Sequence, residues 1–228
     1  LNDGSITGSN FINNTANYGG AVDGKGNVAN SKFIENKATH GGAMDGGTAT
    51  NCTFIKNNAD SAGGAINEGN AINSNFTENN AGSTGGAINE GNAINCNFIN
   101  NTANYGGAMN DGNAISSNFT DNKAYENGEE PAPSETKSDA MLEGIAVNCI
   151  FINNEYRETE AYSSASLVTS DYTSTYDSGE TLEIKLVTPD NHPLDGIQAK
   201  ITVYQGSEKI GTYYAPTGEG WEVSLSPG

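Results

Sequence analysis

The chain has 228 residues and a formal charge of −18, from 10 basic and 28 acidic side chains, which disfavours nucleic-acid phosphate or an anionic membrane surface as the main partner. Only 35% of residues are hydrophobic, which argues against a large globular core, and only 17% are charged, too few for a charge-rich disordered chain. Glycine and asparagine fill the gap: 32 of 33 Asn and 22 of 29 Gly precede Glu155, whereas seven of ten Tyr follow it, so two domains of different architecture are expected.

The N-terminal stretch LNDGSITGSNF has no basic segment followed by an apolar one, and no stretch approaches the roughly 18 apolar residues of a helical membrane span, so no direct membrane insertion is expected. From Phe11 onward the chain repeats. F-x-x-N occurs at Phe11, Phe33, Phe54, Phe76, Phe98, Phe119 and Phe151, with spacings of 22, 21, 22, 22, 21 and 32. A second motif, Gly-Gly-Ala followed by Val, Met or Ile, begins at Gly19, Gly41, Gly63, Gly85 and Gly106. LNDGSITGSNF aligns with MNDGNAISSNF (109–119), so the chain is expected to begin in mid-repeat, as part of a longer protein with another Gly-Gly-Ala before Leu1.

In the sixth copy, DAMLEGIAVNCIF (139–151) aligns without gaps to GAINEGNAINCNF (86–98). The extra residues between Asn127 and Asp139 explain the spacing of 32 and predict a projecting loop over 127–139. Because this loop alone breaks the repeat, its charged residues Glu129, Glu130, Glu135 and Lys137 are the binding candidates.

Within each unit, steps of two back from Phe reach a small residue (Ser9, Ser31, Cys52, Ser74, Cys96, Ser117, Cys149), then Thr7, Ala29, Thr50, Ile72, Ile94, Ile115 or Val147. Period-two alternation is a strand signal and predicts one shared face for all three. An all-β unit of about 22 residues with two or three short strands reads as one rung of a parallel β-helix, about seven rungs over residues 1–158. Stacked rungs form ladders, with Phe33, Phe54, Phe76, Phe98 and Phe119 on one another. Asn36, Asn57, Asn79, Asn101 and Asn122 hydrogen-bond from rung to rung at a corner. Helical repeats are opposed by the Gly pairs, Asn runs and β-branched alternation.

Paired F-x-x-N and G-G-A-[ILV] motifs resemble the repeats of chlamydial polymorphic outer-membrane proteins and of adhesin-like surface proteins of methanogenic archaea. The resemblance covers about residues 1–155. It implies a right-handed parallel β-helix of the pectin-lyase-like kind, extracellular display at the cell surface and adhesion, and it carries no catalytic residues.

After Tyr156 the repeats stop. A Ser/Thr/Tyr-rich linker or cap (159–178) leads to four strand candidates, TLEIKLV, QAKITVY, EKIGTYY and GWEVSLS, separated by turn signals. A β-sandwich over 179–228 is expected, similar to Ig-like modules of archaeal and bacterial adhesins but truncated. This pairing favours the methanogen-type resemblance.

Several residues carry possible chemistry. Cys52, Cys96 and Cys149 share one slot at least two rungs apart, roughly 9 Å, beyond disulfide reach, and read as buried free thiols. An acid-glycine pair ends every rung; Asp45, Glu68, Glu90 and Asp111 either form a Ca²⁺-recruiting ladder or lie in solvated turns, and no other cofactor is expected. His40 and His192 read as ordinary surface residues. Five N-x-[ST] sequons, at Asn13, Asn51, Asn75, Asn100 and Asn118, accept glycans if the chain is exported, although an Asn-rich composition also produces such triplets.

Parallel β-helices also host polysaccharide lyases and hydrolases. The only Arg is Arg157, outside the regular rungs, and near-interchangeable rungs lack the broken symmetry of a catalytic site. The expectation is therefore a non-enzymatic adhesin-like rod whose partners are other cells, surface glycans or proteins. A carbohydrate-active β-helix enzyme and a purely structural spacer are the alternatives.

Overall fold

The computed structural model describes residues 4–125 and 139–154, and beyond them the strands Glu158–Tyr162, Ser166–Thr169, Leu182–Val187, Gln198–Gln205, Glu208–Pro216 and Gly220–Trp221. The chain divides into two compact units, Leu1–Ala161 and Tyr162–Gly228.

The first unit is a β-solenoid in which each turn has four short sides. The Phe side is a seven-stranded parallel sheet that runs from Asn10–Ile12 to Ile150–Ile152. Its register sets Phe11 on Phe33, Phe33 on Phe54, Phe54 on Phe76, Phe76 on Phe98, Phe98 on Phe119 and Phe119 on Phe151. The Ala side pairs Lys37–His40, Asn58–Ala62, Asn80–Ala81, Thr102–Ala103 and Lys123–Ala124. Two further parallel ladders complete the turn. One holds Val22–Asp23, Met44–Asp45, Ile66–Asn67, Ile88–Asn89 and Met109–Asn110. The other runs from Ser5–Thr7 through Asn27–Ala29, Thr48–Thr50, Asn70–Ile72 and Ala93–Ile94 to Ala114–Ile115. The single strand Met141–Val147 closes both ladders into one sheet. Among the described residues, five turns carry strands on all four sides. The expected seven rungs count Phe levels, and the first and last of those belong to incomplete turns.

Left-handed backbone makes the corners. Between the first strand and the Phe strand stand Gly8, Asn30, Asn51, Asn73, Asn95, Ser116 and Asn148; after the Phe strand stand Asn13, Glu35, Lys56, Glu78, Asn100, Asp121 and Asn153, all with φ near 50–61°. Such a conformation costs most side chains about 1–2 kcal/mol and Asn less, because its short amide bonds locally. Many of the asparagines are therefore corner residues.

These corners also correct the predicted shared face. Ala49, Ala71, Ala93 and Ala114 are fully buried, whereas Thr50, Ile72, Ile94 and Ile115 are half-buried on the outer side; Val147 alone of that series is buried. Period-two parity holds only within a straight strand, and the left-handed residue between the Ile or Thr and the Ser/Cys slot shifts it by one.

The core is built of columns. Adjacent Phe rings stack with centroids 4.7–5.0 Å apart and interplanar angles of 2–11°. Opposing apolar bulk comes from Val22, Met44, Ile66, Ile88, Met109 and Met141, all buried. The Gly-Gly-Ala motif fits a tight corner. At Gly63 φ is +65° and a Cβ would meet the Ile66 carbonyl at 2.3 Å, while at Gly64 it would meet the next turn's Gly86 carbonyl at 2.0 Å.

In the second unit Ser166–Thr169 pairs antiparallel with Leu182–Val187, which pairs with Gly220–Trp221, and Gln198–Gln205 pairs antiparallel with Glu208–Pro216. Of the four predicted strands, QAKITVY and EKIGTYY lie within described strands and TLEIKLV does so from Leu182 on, whereas only Gly220–Trp221 of GWEVSLS is described and the rest of it lies outside the described residues. A fifth, Ser166–Thr169, falls within the stretch read as linker.

Candidate functional site

Among the described residues the solenoid's chemistry is arranged in columns, some inward and some outward. The inward asparagine column is fully hydrogen-bonded. Asn57 is representative: its Nδ2 donates to Asn79 Oδ1 at 2.9 Å and to the Phe33 carbonyl at 3.0 Å. Its Oδ1 accepts from the backbone N–H and the Nδ2 of Asn36 at 3.0 and 2.9 Å. Asn36, Asn79, Asn101 and Asn122 repeat this pattern, and all five are 0% exposed. An amide has two donor hydrogens and an acceptor oxygen with two lone pairs, and here all four capacities are used.

The Ser/Cys slot is a second inward column. Ser74 Oγ accepts from the Cys52 N–H and Ser117 Oγ from the Cys96 N–H, each at 3.0 Å. All three cysteines are free, with Cys52 and Cys96 buried and Cys149 half-buried. Burial raises the pKa of all three thiols and pushes Cys96 up to about 12, against weaker lowering by backbone donors. They are protonated, unreactive core groups.

The outward columns are also amide-rich. On the Phe side Asn97 Nδ2 donates to Asn75 Oδ1 at 2.8 Å and Asn118 Nδ2 to Asn97 Oδ1 at 2.9 Å. Beside them run half-exposed or exposed Ile12, Ile34, Ile55, Thr77, Ile99, Thr120 and Ile152. On the Ala side Asn80 Nδ2 donates to Asn58 Oδ1 and Thr102 Oγ1 to Asn80 Oδ1, at 2.9 and 2.8 Å. These ladders were not singled out from the sequence, although an Asn one residue before Phe in three successive units signalled the first of them.

The acid-glycine pairs do not form one column. Asp45 is level with Asp23 and Asn67, and its Oδ1 accepts from Asn67 Nδ2 at 2.7 Å. Glu68, Glu90 and Asp111 stand one position later, at left-handed corners with φ of 49–52°, exposed to solvent and followed by Glu143. Asp45 is thus separated from the other three proposed ligands because Asn67, Asn89 and Asn110 occupy the level it would share. No group of three or more His, Cys, Asp or Glu with metal-holding geometry occurs among the described residues.

The loop candidates Glu129, Glu130, Glu135 and Lys137 lie outside the described residues, as does His192. The loop's root is described. Asp139, 4% exposed, accepts a hydrogen bond at 2.7 Å from the Ala124 N–H across the insertion. It occupies the level of the second glycine of Gly-Gly-Ala, above Gly107. His40 stacks on Tyr18 with centroids 5.5 Å apart.

The arrangement presents repeated donors and acceptors. A ladder amide spends one N–H and one lone pair on its neighbours and keeps one of each for a ligand, turn after turn, about 4.8 Å apart. Compared with protein-family models, curated proteins and solved structures, the chain matches none.

Proposed function

We propose that the chain is a non-enzymatic, extracellular, adhesin-like segment of a cell-surface protein. In this reading the solenoid is a right-handed rod, the hand favoured for parallel strands joined by crossovers. It holds polar faces and the loop 127–139 toward other cells, surface glycans or proteins, and an Ig-like module follows it. The observation that carries the reading is the outward Asn75–Asn97–Asn118 ladder beside its column of Ile and Thr. A regular array of half-used amides next to apolar methyls suits a hydroxyl-rich extended polymer, and repetition multiplies weak contacts.

A glycan array and a cell-adhesion assay test it with three proteins: the full chain, the chain lacking residues 128–138, and Asn75→Ala/Asn97→Ala/Asn118→Ala. Binding lost on excision assigns adhesion to the loop, and binding lost in the triple variant assigns it to the ladder. Absence of binding by the full chain overturns the adhesive reading and favours a spacer. The spacer reading draws on the saturated inner columns, which stiffen a rod whatever its outer faces contact.

A further inference from the structure

The solenoid sorts the five sequons into two chemical situations. In each, the middle residue is Asn14, Cys52, Phe76, Asn101 or Phe119, and the hydroxyl residue two positions after the acceptor is exposed at Thr15 and half-buried at Thr53, Thr77, Thr102 and Thr120. All five acceptors are exposed. Their amides differ. Asn118 Nδ2, the atom that would take the sugar, donates to Asn97 Oδ1 at 2.9 Å, and Asn75 Oδ1 is held by Asn97 Nδ2 at 2.8 Å. Asn51 Nδ2 has a longer bond of 3.4 Å to Asn30 Oδ1.

Asn51 stands at a left-handed corner before the Phe strand, with φ of 53°, whereas Asn13 and Asn100 stand at the corners where the chain turns out of that strand, with φ of 55° and 53°. Among the described residues neither side-chain amide has a hydrogen-bond partner. They share one corner column four levels apart, roughly 19 Å at the usual strand spacing, so each has room for a bulky substituent. The neighbours in that column are Glu35, Glu78 and Asp121, which leaves a polar, open surround.

We propose that Asn13 and Asn100 are N-glycan acceptor sites of the folded rod, and that the sequons whose Asn amides are already bonded to a neighbouring turn, at Asn51, Asn75 and Asn118, are refused. The donor is an oligosaccharide carried on an isoprenoid diphosphate. In the transfer the Asn Nδ2–C1 bond forms as the C1–O bond to the carrier breaks. The carrier diphosphate leaves with the electron pair, and an Nδ2 proton passes to a base of the transferase. Thr15 and Thr102 supply the hydroxyls that complete the acceptors. Glycans at one corner column would leave the Asn75–Asn97–Asn118 face uncovered. The inference requires exposure to a glycan-transferring enzyme but does not depend on adhesion.

The test uses the purified, folded full chain with an oligosaccharyltransferase that needs only Asn-X-Thr, the isoprenoid-diphosphate oligosaccharide, and an acceptor peptide in the same tube. Intact mass and peptide mapping are expected to show two glycans, at Asn13 and Asn100. Thr15→Ala and Thr102→Ala each remove one, and the double variant removes both; Thr53→Ala, Thr77→Ala and Thr120→Ala change nothing. Consumption of the peptide with no transfer to the chain overturns the proposal. So does equal occupancy of Asn51, Asn75 or Asn118, and a vacant Asn13 or Asn100 overturns the assignment at that residue.

Discussion

Two asparagine ladders run along the same solenoid, and they differ in what surrounds them. The inward Asn36–Asn57–Asn79–Asn101–Asn122 column and the outward Asn75–Asn97–Asn118 column both pass Nδ2–H to Oδ1 from turn to turn at 2.8–3.0 Å. The inward amides also cap a Phe carbonyl and a backbone N–H that no water can reach. The outward amides replace water that would serve as well. The same amide-to-amide bond therefore contributes more stability in the inward column than in the outward one, since an unmade hydrogen bond is costly only where solvent is excluded.

Asn79→Ala breaks the inward column and has the largest expected effect. It takes the Nδ2 donor away from the Phe54 carbonyl and from Asn101 Oδ1, leaves the Asn57 N–H without its acceptor, and leaves Asn57 Nδ2 with the Phe33 carbonyl alone. A loss of about 4 kcal/mol in urea denaturation is expected, from several buried groups each worth about 1–3 kcal/mol. A loss below 1 kcal/mol would mean that water enters the column.

The neighbouring Ser/Cys slot sharpens the same point through pH. Folding raises the Cys96 pKa above its ordinary value to about 12, so the native state favours the neutral thiol. Its contribution is intact below pH ~9, where the unfolded thiol begins to ionise, and is lost as pH rises from there toward 12. Cys96→Ser, which places in the slot the residue already found at Ser74 and Ser117, is expected to flatten the fall of stability between pH 9 and 11 relative to the wild type. Parallel slopes for the two proteins would show that Cys96 is not the group responsible.

Much of this was legible in the sequence because stacking turns identity at a fixed spacing into contact. Phe on Phe, Asn on Asn and the common slot of the three cysteines needed only the period. Two things were hidden by corners. The left-handed residue after Ile72, Asn73, has no signature beyond being Asn, yet it moves Ala71 inward and Ile72 outward. A one-residue difference likewise divides the acid-glycine pairs, since Asp45 ends its strand whereas Glu68 turns the corner itself. The Asp139 staple was masked because its slot is glycine in the other turns; the residue type gave no hint that a carboxylate would receive the Ala124 amide there.

Corner chemistry gives a smaller effect. Glu78 holds φ of 55° between Lys56 and Asn100 in its column, with a Lys56 contact of 3.5 Å whose two side chains are 54% and 49% exposed. An exposed ion pair of this kind contributes little, whereas a left-handed backbone costs a non-glycine residue more. Glu78→Gly is expected to raise stability by about 0.5 kcal/mol, after the extra unfolded-state entropy of glycine is set against the relieved strain. A lower thermal midpoint would show that the Lys56–Glu78 pair outweighs the corner.

Asn97→Ala completes the comparison from the outer side. It removes a residue bonded on both sides, to Asn75 and to Asn118, as Asn79 is bonded within its own column. Water can replace both bonds, so stability is expected to change by less than about 0.5 kcal/mol. Asn75→Ala combined with Asn97→Ala should then add without coupling, because each freed amide finds solvent. A coupling energy above about 1 kcal/mol in that cycle would show that the outer ladder, too, is part of what holds the turns together.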